Sequence, residues 1–342
     1  MGNTETNQAQ RQRAESKMIY NHEISRLRET TNRDAVLAIM VSVPDNGSMP
    51  TSDVYFGAFD ESKDSGFCFW TNSTVMDAAM TLSNQFWCVD NEGHVFTTST
   101  LINAPLAVLK DVSFGYKKEY LSKVNAYRFS ELPINTLWCS EQLTILADES
   151  GTVFHIEGDR VTSHSLDLIP LSFFGTDSDD LYLYGRKAKL WHFNGIQWTE
   201  IALPDVGLDH LAISGGVTLS DGNVMFVTSY GFVFKGNSKK RFTLLTTPKK
   251  PYSGICQYQG RYFVCVKDEG LFEVTNIEHQ WQFHLISTAR LPLSLHTMGK
   301  ERHQALFMTS ALNIGKPHFV IVEPGNNVGE KERAFSWEIN IE

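Results

Sequence analysis

The chain has 342 residues, of which 42% are hydrophobic and 20% are charged, with a formal net charge of −9. The acidic balance argues against a nucleic-acid-binding protein, which needs a basic surface to neutralise phosphate. No segment approaches the roughly 18 apolar residues of a membrane-spanning helix, and the polar N-terminus lacks the apolar stretch of a secretory signal. We therefore expect a cytoplasmic protein that binds neither nucleic acid nor membrane.

The N-terminal region, residues 1–34, is interpreted as a tail followed by a basic amphipathic helix. Between Gln8 and Thr31 the apolar residues Tyr20, Ile24 and Leu27 fall at positions i, i+4 and i+7, which place them on one face of a helix. Such a helix would pack its narrow stripe on the rest of the protein, or serve as a docking or oligomerisation arm.

From Ala35 onward the pattern is strand-like and repeats. Matching second strands begin at Leu143, Leu181, Val224 and Tyr262, about 40 residues apart, which is the period of four-stranded propeller blades. The clearest copy, residues 181–204, contains an Asn-Gly hairpin turn between aromatic runs. Residues 35–342 therefore predict one all-β domain, a β-propeller of about seven four-stranded blades, with six or eight as alternatives. The seven units span residues 35–74, 75–132, 133–168, 169–204, 205–248, 249–290 and 291–342.

This blade pattern resembles bacterial β-propeller repeats in general. It lacks the Trp-Asp dipeptide of WD repeats, and only Gly215-Gly216 matches the paired glycines of kelch repeats. The nearest approach to an Asp-box is Ser220-Asp221-Gly222, without the aromatic spacing that should follow. No family's active site is therefore transferred to this chain.

The cysteines and histidines do not predict a metal or cofactor site. The five cysteines include no CxxC pair, so we expect reduced core residues; the turn after Gln259 should bring Cys265 nearest Gly254 rather than Cys256. The eleven histidines show no HxH or HxxxH spacing. The acidic cluster Asp177 to Asp180 does not fit a calcium loop. We predict no metal, no cofactor and no catalytic residue. Trp191 and Trp198 are expected to pack between blades.

The turns between second and third strands are the first candidate binding region, because in a propeller they all emerge on one face. Three of the five turns identified are acidic, which indicates either ordinary solvated turns or a negative rim that attracts a basic partner. The second candidate is an insertion beginning at Gly115 that breaks the blade period. The candidate partner-binding residues are Asp90, Glu92, Tyr116, Lys117, Tyr120, Asp148, Glu149, Arg186, Lys187, Tyr230, Asp268 and Glu269.

These features favour a non-enzymatic, protein-binding propeller. A sharper version of this hypothesis is an immunity-type protein that neutralises a bacterial antagonism toxin with one propeller face. The alternatives are a hydrolase or lyase with a site at the central channel, and a lectin-like propeller with repeated sugar pockets. The sequence leaves the partner, the face used and the oligomeric state open.

Overall fold

A computed structural model describes residues 20–29, 35–44, 51–58 and 66–338. Within the last range, residues 82, 84, 102–106, 109–111, 117–120, 122, 210, 246–248, 259, 276–279, 288–291, 298–304, 310–317, 325–326 and 330 are not described. The described part contains 30 strands and one short 3-10 turn, Arg186–Ala188. It forms seven antiparallel sheets, two with five strands and five with four. The predicted all-β class is confirmed.

The first two sheets carry an extra strand each. Sheet 1 has the order β1-β2-β3-β4-β9, and sheet 2 has the order β5-β6-β7-β10-β8. Their strands are β1 Tyr20–Glu29, β2 Ala35–Pro44, β3 Thr51–Ala58, β4 Gly66–Thr71, β5 Val75–Met80, β6 Phe86–Asp90, β7 His94–Thr97, β8 Ala107–Val108, β9 Phe114–Tyr116 and β10 Asn125–Arg128.

Sheets 3 to 7 are each four consecutive strands paired in chain order. Sheet 3 contains β11 Ile134–Cys139, β12 Thr144–Asp148, β13 Thr152–Glu157 and β14 Arg160–Ser165; sheet 4 contains β15 Pro170–Asp177, β16 Asp180–Gly185, β17 Leu190–Phe193 and β18 Trp198–Glu200. Sheet 5 contains β19 Ile213–Thr218, β20 Val224–Thr228, β21 Val233–Asn237 and β22 Lys240–Leu245. Sheet 6 contains β23 Tyr252–Tyr258, β24 Arg261–Val266, β25 Gly270–Thr275 and β26 Gln282–Ser287; sheet 7 contains β27 Pro292–Thr297, β28 Ala305–Thr309, β29 His318–Pro324 and β30 Lys331–Glu338.

The second strands of sheets 2, 3 and 5 are fully buried. Every residue of β6, β12 and β20 is buried. A strand covered on both faces must be apolar at successive positions, which explains why these segments read as continuous rather than alternating apolar runs. These second strands lie inside their sheets, and the turn that follows each of them occupies the equivalent place in its sheet.

The sheets are arranged side by side through their first strands. Strands β5, β11, β15, β19, β23 and β27 each lie against the next, and β1 lies against both β27 and β5. The apolar faces of neighbouring sheets bury one another: one cluster joins Leu143 and Ile145 of sheet 3 to Leu181, Leu183 and Phe193 of sheet 4. A single sheet cannot bury its own apolar face, and here the neighbouring sheets bury it.

Buried polar groups also connect adjacent first strands. The carboxylate of Asp77, on β5, accepts hydrogen bonds from the Thr136 hydroxyl at 2.8 Å and the Leu137 N–H at 3.1 Å, both on β11. On β19 the Ser214 hydroxyl donates to the Tyr252 carbonyl at 2.8 Å, at the start of β23. Such bonds fix the positions of neighbouring sheets, because an unpaired buried polar group is costly.

The predicted N-terminal helix is wrong over Tyr20–Glu29, which is strand β1 and pairs with β2. The rest of the predicted helix lies outside the described residues. A bulge after Ile24 places Ile24 opposite Met40 and Leu27 opposite Ala38, which are two positions apart on β2. Because of the bulge, two apolar residues three positions apart can lie on the same face of the strand. The same spacing is expected on one face of a helix, so the sequence pattern fits both structures.

The insertion in unit two supplies edge strands. The segment Phe114–Tyr116 forms β9 and pairs with β4 of the preceding sheet, while β8 pairs with β10. Both strands cover sheet edges that would otherwise present unpaired backbone groups.

Candidate functional site

One side of the ring, which we call the upper face, carries the turns between second and third strands together with the connections that lead from each sheet to the next. The two sets of loops are tied by a repeated backbone hydrogen bond, from the first residue of the turn to the residue immediately before the first strand of the sheet. These bonds are Asn91 N to Thr74 O, Glu149 N to Pro133 O, Arg186 N to Ile169 O, Ser229 N to Ala212 O and Lys267 N to Pro251 O, at 2.8–3.3 Å.

A groove of about 840 Å³ opens on the upper face across sheets 3, 4 and 5. Its apolar lining comes from the connections and includes Leu166, Leu168 and Leu211. Leu166 and Leu168 are 6% exposed and Leu211 is 2% exposed, so these side chains lie at the base of the groove. A concave surface with an apolar base and polar edges is typical of binding sites.

The turn Arg186–Ala188 lies in the middle of this groove. Its backbone is left-handed at two successive non-glycine residues, Lys187 with φ 58° and Ala188 with φ 52°. Each such residue costs about 1–2 kcal/mol. The turn is held at both ends, because Arg186 N donates to Ile169 O at 3.0 Å and Ala188 N donates to Leu211 O at 2.8 Å. The two cationic side chains therefore start from a fixed backbone.

Four large apolar side chains are exposed on the upper face. Leu132, Ile169 and Leu208 belong to connections between sheets, and Tyr230 belongs to the turn between β20 and β21; their exposed fractions are 42%, 37%, 42% and 52%. Ile169 also lines the groove. Exposed apolar side chains on one face make that face a candidate interaction surface.

Two of the predicted binding residues, Asp90 and Asp148, are instead internal anchors of their turns. Asp148 is 3% exposed and accepts hydrogen bonds from the Ser130 hydroxyl at 2.7 Å and from Ser150 N and Thr152 N at 2.9 and 3.0 Å. Asp90 is fully buried and bonds in the same way to Ser73 Oγ, at 2.5 Å, and to its own turn. Both carboxylates are used inside the fold, and their contact with a partner stays a prediction.

The other acidic turn residues stay near solvent. Glu92, Glu149 and Asp268 are exposed, and Glu269 forms an ion pair with Lys250. Glu149, Arg186 and Lys187 all line the groove, so the structure brings these three predicted residues together. The upper face carries both signs of charge, because two of its predicted carboxylates are internal and basic groups lie between the others.

The insertion residues differ from their predicted role. Tyr116 lies in β9, is only partly exposed, and stacks on Phe114 with ring centroids 6.4 Å apart. It packs against the core shared by sheets 1 and 2, so it is not the freely exposed contact residue predicted. Lys117 and Tyr120 lie outside the described residues.

Sequence reasoning missed the exposed apolar residues of the connections. A usable signal was present: Leu132 and Ile169 each stand directly before a proline, at the entrance to the first strand of a sheet. Apolar residues at the same place in two connections of one face are candidate contact residues, because together they add to the apolar surface of that face. Pro133 and Pro170 also restrict the backbone that presents them.

The side of sheets 3 and 4 away from the groove is occupied by structural contacts. Trp198 Nε1 donates to His155 Nε2 at 2.8 Å, across the boundary between the two sheets. Trp191 and Trp198 pack against the cluster shared by these sheets, which confirms their predicted role between repeat units. Burial lowers the pKa of His155 to about 4, with a smaller contribution from the nearby His164.

Other titratable clusters are similarly satisfied. Asp180 Oδ1 lies 2.8 Å from His192 Nε2, and no potential metal site of three His, Cys, Asp or Glu residues occurs among the described residues. Cys265 pairs with Gly254 as predicted, and burial raises the pKa of the Cys265 thiol, which makes a reactive thiolate unfavourable. In the described part of the chain, no helix has the length and apolar character required to cross a bilayer.

The ring of four- and five-stranded antiparallel sheets defines the chain as a β-propeller, and comparison with solved structures supports this class. No protein-family model and no curated protein matches the chain. The computationally designed Ika8 protein is 12% identical, with a TM-score of 0.57 over 92% of this chain and 87% of that one. Virginiamycin B lyase from Staphylococcus aureus is 12% identical, with a TM-score of 0.55 over 78% and 85% of the two chains. The WD40 β-propeller domain of Doa1 is 10% identical, with a TM-score of 0.52 over 84% and 93%. At these identities the likeness establishes the fold alone.

Proposed function

We propose that this protein is a non-enzymatic, protein-binding propeller whose seven sheets act as the blades of one ring. Its partner binds the upper face across sheets 3 to 5. The observation that carries the proposal is the set of exposed apolar side chains on the upper face, of which Ile169 lines the groove; the set is Leu132, Ile169, Leu208 and Tyr230. Protein interfaces combine such apolar contacts with a polar rim, and tyrosine is frequent among their strongest contacts.

The rigidity of this face supports the proposal. The turns and connections are tied together by the repeated backbone bonds, so little conformational freedom needs to be lost when a partner binds. A propeller that uses a protein partner has precedent among structures of the same fold. BBS1N, with 11% identity and a TM-score of 0.51, was solved in complex with ARL6DN.

The proposed partner is a protein of the same compartment, and in the sharper version it is a toxin that this protein neutralises in the cytoplasm of a bacterium. An inhibitor of this type needs a rigid complementary surface and no catalytic group, which agrees with the composition of the upper face. The sharper version makes a separate prediction: the partner arrests growth when expressed alone and is harmless when co-expressed with this chain.

The test compares two surface variants. The double variant Ile169→Glu with Leu208→Glu places carboxylates on the proposed face. The control, Ile196→Glu, alters a side chain that is 84% exposed in the turn between β17 and β18, on the opposite face. A partner recovered at equal stoichiometry with the tagged wild type is purified, and its affinity for each variant is measured. We expect at least about a hundredfold loss for the double variant, since two interface residues are lost, and little change for the control. Equal affinity for both variants, or the absence of any stoichiometric partner, would contradict the proposal.

A further inference from the structure

The cations at the centre of the groove have no anionic partner among the residues that the structure describes. Arg186 and Lys187 are both exposed, and neither lies within ion-pair distance of a described carboxylate. Their neighbour Lys189 is different: its Nζ lies 2.6 Å from Glu200 Oε1 and 3.2 Å from Asp167 Oδ2. Asp167 and Glu200 are thus already engaged by Lys189, and the two turn cations remain available.

The groove presents its charges in a fixed order around the ring. Glu149 stands on the turn of sheet 3, Arg186 and Lys187 stand on the turn of sheet 4, and Asp209 stands on the connection that leads to sheet 5. All four line the groove above its apolar base; Asp167 and Lys189 also line it but are paired with each other, so they leave this order unchanged. The order is therefore negative, positive, negative, which selects the opposite sequence of charges in a ligand.

We infer that the groove binds an extended segment of the partner protein that carries a central carboxylate, from Asp or Glu, flanked by apolar side chains. The carboxylate pairs with Arg186 and Lys187, and the apolar side chains contact the base at Leu168 and Leu211. This inference rests on the proposed function and names the part of the partner that the same face recognises. It replaces the basic partner expected from the acidic turns.

The shape and chemistry of the groove favour a peptide over a free anion. An inorganic anion would gain nothing from the apolar base, whereas a peptide gains from burial of its side chains. Arginine also suits a carboxylate through paired N–H donors. In an extended segment successive side chains point to opposite sides, with a rise of roughly 3.3 Å per residue. One segment can therefore direct its acidic side chain and its apolar side chains to different parts of the groove.

The probe is a library of random dodecapeptides displayed on phage and selected against the immobilised full chain. Selected peptides are synthesised, and their affinity is measured by fluorescence anisotropy for three proteins. These are the wild type, the double variant Arg186→Glu with Lys187→Glu, and the control Lys239→Glu with Lys240→Glu. The control makes the same charge reversal at two exposed lysines of the turn between β21 and β22, on the opposite face.

We expect the selected peptides to share an acidic residue between apolar residues. Their affinity should fall by about tenfold or more for the Arg186 and Lys187 double variant and stay within about twofold for the control. Replacing the acidic residue of the peptide by Lys should restore part of the affinity for the double variant and abolish binding to the wild type. Thermal unfolding of all three proteins shows whether each is folded.

Three results would overturn the inference: no acidic enrichment, equal loss in the two double variants, or no recovery on the charge swap. Competition by inorganic phosphate at the concentration of the peptide would show that the turn binds anions in general. The test is separate from that of the proposed function. If the natural partner depends on Ile169 and Leu208 but tolerates reversal of Arg186 and Lys187, the binding face stands and the acidic segment is rejected.

Discussion

Replacing Asp148 by Ala tests whether a turn carboxylate belongs to the fold or to the binding surface. In the structure this carboxylate accepts hydrogen bonds from the Ser130 hydroxyl, the Ser150 hydroxyl and N–H, and the Thr152 N–H, at 2.6–3.0 Å. It therefore closes its own turn and holds the connection from sheet 2. The neighbouring Glu149 is exposed and lines the groove. The two adjacent residues are a matched pair with the same charge.

The magnitude follows from what the substitution leaves unpaired. A hydrogen bond to a charged group contributes about 1.5–3 kcal/mol, and an unsatisfied buried donor costs about 1–3 kcal/mol. The Ser130 side chain is buried, whereas the N–H groups of Ser150 and Thr152 are partly buried and regain some bonding to water. We expect Asp148→Ala to lower the free energy of unfolding by about 3–4 kcal/mol and Glu149→Ala by no more than about 0.5 kcal/mol.

The assay is urea denaturation at constant pH, with equal m-values required before free energies are compared. A double-mutant cycle with Ser130→Ala isolates the tie to the connection, for which we expect a coupling of about 1–2 kcal/mol. If Asp148→Ala destabilises the protein no more than Glu149→Ala does, the carboxylate is not an anchor and the assignment of this turn is wrong.

Three further predictions concern groups that the fold buries. Burial lowers the pKa of His155 from 6.5 to about 4. As the pH drops from 6.5 towards 4, the unfolded chain therefore binds a proton that the folded protein does not, and the free energy of unfolding should fall. In His155→Gln this fall should be smaller by about 2–3 kcal/mol. Gly151 and Gly222 both have positive φ, 86° and 75°, but a Cβ at Gly151 would lie 2.3 Å from a backbone oxygen and one at Gly222 would meet nothing within 4 Å. Denaturation should show a loss of about 1 kcal/mol for Gly222→Ala and at least about 3 kcal/mol for Gly151→Ala, and equal losses would contradict the packing. Arg261 donates two hydrogen bonds, of 2.7 and 2.6 Å, to the buried carboxylate of Glu273. Arg261→Ala should lower the free energy of unfolding by about 3–5 kcal/mol. A fall in melting temperature smaller than that caused by replacing an exposed lysine would refute this prediction.

The repeating sheets could be predicted because a strand that is buried on both faces consists mainly of apolar residues. The second strands, such as β12 and β20, are continuous apolar runs, and the turns that leave the third strands contain glycines with positive φ, such as Gly158 and Gly195. Unit six was predicted as residues 249–290, and sheet 6 extends over Tyr252–Ser287. Local pattern and tertiary burial agree in these segments.

The first sheet could not be predicted in the same way, because its first strand is defined by pairing rather than by its own pattern. Tyr20–Glu29 contains charged residues throughout and a bulge, so its apolar spacing matches a helix as well as a strand. Its identity follows from its pairing with β2, whose other edge pairs with β3. Strand preference depends strongly on such context.

The turn residues show where single-residue reasoning stops. An aspartate at the end of a buried strand, three residues before a glycine, occurs at both Asp90 and Asp148. The sequence indicates a turn at each place, but not whether the carboxylate faces solvent. The deciding partners are Ser73 and Ser130, which lie 17 and 18 residues earlier in the chain. Only the pairing of the connection with the turn brings them within hydrogen-bond distance.

The same connections that join the sheets also present the proposed contact residues, and Ile169 shows how the two roles are separated. Its carbonyl accepts the hydrogen bond from Arg186 N at 3.0 Å, which holds the central turn of the groove, while its side chain is 37% exposed. The backbone bond is independent of the side chain, so the surface of the connection can change without loss of the tie between turn and connection. A propeller built in this way can acquire a new partner through its connections while its sheets remain unchanged, and the exposed side chains of the connections are therefore where the specificity of this chain is to be sought.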